Sequence, residues 1–161
     1  MDLPRHPRVA HPQLKDLLAR EPGPVPTIAA DAPVSEVLGL MAERDIDAVA
    51  VVEGDRVVGI FSDRAYLRRM AAGTALAALT PVREVMDDRL VFATPQDTVS
   101  ESVALLSGRR IRSLAVFEAG HLVGMLSIDA LLKELLAHYE RVFKAIELDQ
   151  LVLFARGTYS C

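Results

Sequence analysis

Ser62 and Ser127 are the residues best placed to do chemistry. Each closes an apolar run, 57–61 and 122–126, and each precedes a stretch with helical spacing. A serine there is predicted to cap a helix, and the first N–H groups of a helix lack partners within it. Such a start attracts anions, and the hydroxyl can add a hydrogen bond to a phosphate. Arg64 stands two residues after Ser62, with Arg68, Arg69, Arg109, Arg110 and Arg112 elsewhere. These arginines could pair with phosphate or form a solvated face. Asp63 and Asp129, in the first turns of the two helices, favour the helix start and repel a phosphate.

Residues for catalysis do not assemble in the same way. An enzyme needs a nucleophile with a base, a metal cluster or paired carboxylates. His6, His11, His121 and His138 lack metal-ligand spacing and are expected to be exposed, while the single cysteine is the terminal Cys161. Asp87-Asp88 is expected to be a solvated loop, and no glycine-rich phosphate loop is found. The chain is expected not to be an enzyme and to require no cofactor or metal.

A net charge of −4 provides no field to gather a nucleic-acid backbone. The longest apolar run near the middle, 49–52, stops at Glu53-Gly54-Asp55, far short of the ~20 residues that cross a bilayer. The first residues, polar and proline-rich, do not resemble a secretory signal. The expectation is a cytoplasmic protein without nucleic-acid or membrane partners.

The chain carries an internal duplication. Gly59 and Gly124 align at an offset of 65 (124 minus 59), and the same offset brings Val34-Ser35-Glu36 onto Val99-Ser100-Glu101. Ala50-Val51 falls on Ala115-Val116, and Ser62 on Ser127. Within each copy the hydrophobic period changes in a fixed order. In the first copy, 25–29 reads as extended and Asp31 as an N-cap. A helix over about 33–44 follows, then a hairpin around Gly54-Asp55 and a second helix from 63 to about 72. The second copy repeats this with a helix at 98–108, a hairpin over 113–126 turning at Ala119-Gly120, and a helix begun by Ser127. One such unit cannot cover both faces of its sheet. The expected fold is therefore α/β (α+β), two β-α-β-β-α repeats packed sheet to sheet about a pseudo-twofold axis. Its parts are an N-terminal segment 1–12, repeat one 13–72, a linker 73–80, repeat two 81–135, and a helix extension and tail 136–161.

The last helix continues past the repeat. Leu132, Leu136, Tyr139, Phe143 and Ile146 are spaced four, three, four, three, the seam spacing of helix-on-helix packing. The stripe either packs on its own chain or forms a homodimer contact. Leu131, Leu135 and Val142 widen the apolar face, which favours burial on two sides.

These segments resemble a tandem cystathionine β-synthase-type (CBS) domain pair, also called a Bateman module. EGDRVVGIFSDRAYLRRM is similar to the hairpin and second helix of such a domain, and 80–136 is similar to a second domain almost from end to end. Together they cover roughly 13–135. The resemblance implies regulatory binding of an adenosine-containing ligand (AMP, ADP or ATP, NAD(H), or S-adenosylmethionine) in clefts between the repeats, with a regulated protein as a further partner. It implies linings at Thr27 with Ile46, Asp47 and Ala48, and at Phe92 with Arg112, Ser113 and Leu114, with phosphate near Ser62, Arg64 and Ser127. The family's ribose-binding aspartate, three positions after each serine, is replaced by Ala65 and Ala130. A hydrogen bond to a charged group contributes about 1.5–3 kcal/mol, so losing one or two would weaken a ribose ligand about tenfold to a thousandfold. The alternative expectation is a ligand-free oligomerisation or protein-interaction module.

Overall fold

The computed structural model describes residues 10–20, 23–73 and 78–157. Most of the N-terminal segment with His6, the middle of the linker, and the end of the tail with Cys161 lie outside the described residues. Repeat one contains β1 (Thr27–Ala29), α2 (Val34–Arg44), β2 (Ala48–Glu53), β3 (Arg56–Ser62) and α3 (Asp63–Ala71), preceded by a short helix α1 (Leu14–Leu18). Repeat two contains β4 (Phe92–Ala93), α4 (Val99–Arg109), β5 (Ser113–Glu118), β6 (His121–Ser127) and α5 (Ile128–Gly157), preceded by a 3-10 turn, Val82–Glu84.

Each repeat forms its own three-stranded sheet, in order β1-β2-β3 and β4-β5-β6. The first strand runs parallel to the second, as a strand-helix-strand connection requires, and the hairpin closes antiparallel. The duplication extends to irregularities. The ladder slips between Val51 and Val52 in one hairpin and between Val116 and Phe117 in the other. α2 and α4 both end on a left-handed non-glycine residue, Asp45 at φ 52° and Arg110 at φ 55°. The N-cap of α2 is Pro33 rather than Asp31, whose carboxylate is instead taken by Arg83.

The buried side chains fall into two clusters, one in each repeat. The repeats exchange leading segments. α1 packs Leu14 and Leu17 into the core of repeat two, and the 3-10 turn sends Val82 and Val85 into the core of repeat one. Backbone hydrogen bonds mirror the exchange. Leu14 and Lys15 donate to Asp97 and Pro95 at 3.0 and 2.9 Å, while Val82 and Arg83 donate to Ala32 and Ala30 at 2.9 Å each. The two central glycines make room for it: a Cβ on Gly124 would lie 2.1 Å from Leu18, and one on Gly59 2.5 Å from the Met86 sulfur. With each core closed by the other repeat's chain, the pair forms one pseudo-twofold unit.

α3 stops after nine residues, at a C-cap on Ala72 followed by Gly73 with φ 78°. α5 has Ala137 and His138 at the equivalent positions, and it continues for thirty residues. Its inner face sets Leu131, Glu134 and His138 into the body. His138 is thus buried, contrary to the expectation of exposure, because it packs beside His11 and Tyr139 at ring-centroid distances of 6.2 and 5.6 Å. Its neighbour Glu134 accepts from Arg20 at 2.5 Å and from Arg141 at 3.1 Å, which ties the end of the α1 segment to α5. The Arg20 guanidinium foremost, opposed by burial and helped by Arg141, holds the Glu134 carboxyl below its ordinary value.

Candidate functional site

α3 and α5 both begin where a hairpin ends, so their first turns stand at equivalent points of the two repeats. Ser62 accepts from the Ala65 N–H at 3.1 Å, and Ser127 from the Ala130 N–H at 3.2 Å. The first helical N–H in each case donates to the residue before β2 or β5, Asp63 to Asp47 at 3.3 Å and Ile128 to Arg112 at 2.7 Å. The resemblance makes two clefts possible, and Ser62 and Ser127 both line one hollow of about 140 Å³.

Five arginines, Arg64, Arg68, Arg89, Arg110 and Arg112, surround this hollow with four aspartates, Asp47, Asp63, Asp87 and Asp129. Arg89 holds Asp87 through contacts of 2.6 and 2.9 Å, and Arg112 holds Asp129 at 3.1 Å. That leaves Arg64, Arg68 and Arg110 against Asp47 and Asp63. The Arg89 hydrogen bond, opposed by burial and aided by the charge of Arg68, keeps the Asp87 carboxyl below its ordinary value. Five arginines against four aspartates give the hollow a formal excess of one positive charge. Its volume suits a phosphate group, whereas whole small-molecule sites occupy about 300–1,000 Å³.

The expected backbone contribution is reduced. At the start of α3 the N–H of Asp63 goes to Asp47, that of Arg64 to the Asp63 carboxylate at 2.5 Å, and that of Ala65 to Ser62. Local side chains and the preceding loop satisfy these donors, so an anion here must be held chiefly by arginines and by the serine hydroxyl protons.

The structure gathers Asp47, Ser62, Arg64, Ala65, Arg112, Ser113 and Ser127 around the hollow. Ile46 packs at the edge of the repeat-one core, and Ala48 pairs with Ser62 across the hairpin. Thr27 is exposed on β1 opposite Ala50. Ala130 is half-buried beside the hollow without lining it. Two residues stand elsewhere. Leu114 is fully buried in the repeat-two core, because its alternation on β5 turns it inward. Phe92 stacks edge-to-face on Phe117 at 5.3 Å in a separate hollow of about 670 Å³, next to the repeat-one hairpin turn. Asp87, read from sequence as part of a solvated loop, and Arg89, which the sequence did not single out, enter the site because Ile60 and Asp87 exchange two backbone hydrogen bonds of 2.9 Å. Only that tertiary contact reveals them.

Among the described residues, no cluster of His, Cys, Asp and Glu could hold a metal, and no helix is long and apolar enough to cross a membrane.

Two sheets built alike, exchanged leading segments and paired helix starts describe a tandem repeat, and the CBS domain family matches the chain over residues 14–72 and 82–137. The chain belongs to the CBS domain family, as a pair of domains. It is 31% identical over 108 residues to the CBS domain-containing protein YhcV of Bacillus subtilis, covering 66% of this chain and 76% of that protein. It is 34% identical over 117 residues to a 33.4 kDa protein of the ribosomal RNA operon in Thermofilum pendens, covering 72% of this chain but only 37% of that protein. The crystal structure of the CBS-domain containing protein ATU1752 from Agrobacterium tumefaciens superposes with a TM-score of 0.70 at 29% identity, covering 76% of this chain and 98% of that one.

Proposed function

We propose that this CBS pair is a non-catalytic, cytoplasmic regulatory module whose ligand is a phosphate-bearing adenosine compound, with its anionic end in the hollow between α3 and α5. The observation that carries this reading is the convergence of five arginines on a phosphate-sized hollow reached from both repeats. A ligand touching both repeats would favour one arrangement of the pair and so signal by shifting its population. Support for the adenosine part comes from proteins of the same fold: one from Pyrobaculum aerophilum is complexed with AMP, and the domain pair of protein MJ0100 with 5′-methylthioadenosine and S-adenosyl-L-methionine. Of these chemistries the arginine excess favours the phosphate. A CBS pair also occurs inside an enzyme, since inosine-5′-monophosphate dehydrogenase of Thermoplasma acidophilum matches over 20% of its length.

Self-association through the outer face of α5 completes the proposal. Leu132, Leu136, Tyr139, Phe143 and Ile146, the seam seen in sequence, are all exposed, while Leu131, about 100° further round the helix, is fully buried. The expectation of burial on two sides thus calls for a second chain.

The test is thermal melting with millimolar AMP, ADP, ATP, NADH and S-adenosylmethionine. A ligand at about 100 times its Kd adds about 2.7 kcal/mol. Phosphate-bearing compounds should raise the melting temperature and S-adenosylmethionine should not. No shift with any of them would favour the second reading, a ligand-free interaction module, to which Ala65 and Ala130 point.

A further inference from the structure

Resting on the self-association reading, we infer that the second copy docks with its α5 antiparallel, so that the apolar end of each helix lies against the body of the other chain. Two observations carry the direction. The first is the distribution of apolar surface. Along the seam, side chains from Leu132 to Ile146 are 44–66% exposed, a single stripe that one partner helix covers. Beyond it the stripe widens. Leu148, Leu151, Val152 and Leu153 point to several sides of the helix and are 51–69% exposed. A parallel partner would cover only the seam of this end and leave its other sides in water, remote from both bodies. An antiparallel partner places it beside the body of the other chain, where the neighbouring α4 presents exposed Leu105 outside the seam.

The second observation is charge. Continuing the four-three spacing past Ile146 brings Gln150 and Leu153 into the seam. Antiparallel layers then match Tyr139 with Phe143, Leu136 with Ile146 and Leu132 with Gln150, centred near residue 141. This register sets Lys133 beside Glu147 twice, once at each end, and brings the two Glu140 side chains near the axis, where Lys144 one turn away on each helix offsets them. In a parallel register the flanking pairs are Leu135 with Glu140 and Val142 with Glu147, which contain no opposite charges. The antiparallel arrangement also opposes the two helix dipoles favourably.

Site-directed crosslinking on the full chain tests the direction, in a Cys161→Ser background with self-association read independently by sedimentation equilibrium. A Leu132→Cys chain mixed with a Gln150→Cys chain of different mass should form a mixed disulfide dimer on mild oxidation, whereas Gln150→Cys alone should stay uncrosslinked. Efficient crosslinking of Gln150→Cys with itself shows a parallel pair and overturns the inference while leaving self-association intact. A dimer that forms neither product overturns it as well, and a monomer at ~100 μM overturns both readings. Independently, Lys133→Glu should weaken the dimer about three- to tenfold, and adding Glu147→Lys should restore it. Weakening without restoration counts against the register.

Discussion

The two repeats start their second helices on the same backbone and dress it with opposite charges. Asp63 and Ile128 each donate their N–H to the residue before the hairpin, at 3.3 and 2.7 Å, and Ser62 and Ser127 make matching caps. The side chains are inverted: repeat one has Asp47 and Arg64 where repeat two has Arg112 and Asp129. Their cores, by contrast, hold the same kinds of residue at the same places, with Val49 and Val51 answered by Leu114 and Val116. A core position tolerates little beyond shape and apolarity. A rim position keeps its backbone role whatever its charge, so the rim is where duplicated halves diverge and where a single ligand site can draw different groups from each.

The largest effect should come from the exchange that joins the halves. Leu14 is fully buried in the core of the other repeat, and Leu14→Ala is expected to lower stability by about 3 kcal/mol. Val82→Ala, its counterpart in the reverse direction, loses fewer methyl groups and should cost less. Urea unfolding of both variants checks the order, and a loss below about 1 kcal/mol for Leu14→Ala would mean that the leading segment is an appendage.

Next is the difference between the two alanines. Ala65 lines the hollow and Ala130 does not. If the lost aspartates explain any weakness for ribose, Ala65→Asp should raise AMP affinity about tenfold or more, and Ala130→Asp should change it little. Titration calorimetry on the two variants measures this, and equal responses would break the asymmetry between the helix starts.

The smallest effect concerns Glu134, whose equivalent in repeat one is the exposed Arg69. Its carboxyl is held below the ordinary 4.5 by Arg20 first, against burial, with Arg141 assisting. A carboxylate with a depressed folded-state pKa contributes stability above its unfolded value and loses it as the pH falls through the folded one. The contribution should therefore be complete at neutral pH and fade below about 4.5. Because both arginines are exposed, Glu134→Gln should cost only about 1 kcal/mol. Melting curves from pH 7 to 3 should show the variant converging on the parent in acid, and a constant gap would rule out the ion pair as the cause.

Local pattern alone carried the repeat, the order of strands and helices, the hairpin turns and both serine caps, because each depends on neighbours within one turn or one ladder. It also marked the outer stripe of α5, since a period of three and four is visible without a partner. The family resemblance, not local pattern, implied Phe92 and Leu114 as cleft linings, and the fold sets one in a separate hollow and the other in the core. Asp87 read only as a solvated loop and Arg89 was not singled out, for their position depends on a bridge to Ile60 nearly thirty residues away. The amino-acid order by itself determined that two like units would form, because burying a repeated apolar pattern has one economical solution per unit. Only the tertiary structure decided that each unit would be closed by the other's leading segment and that both helix starts would open into one charged hollow, because contacts between distant segments are set by the geometry of packing and leave no local period behind.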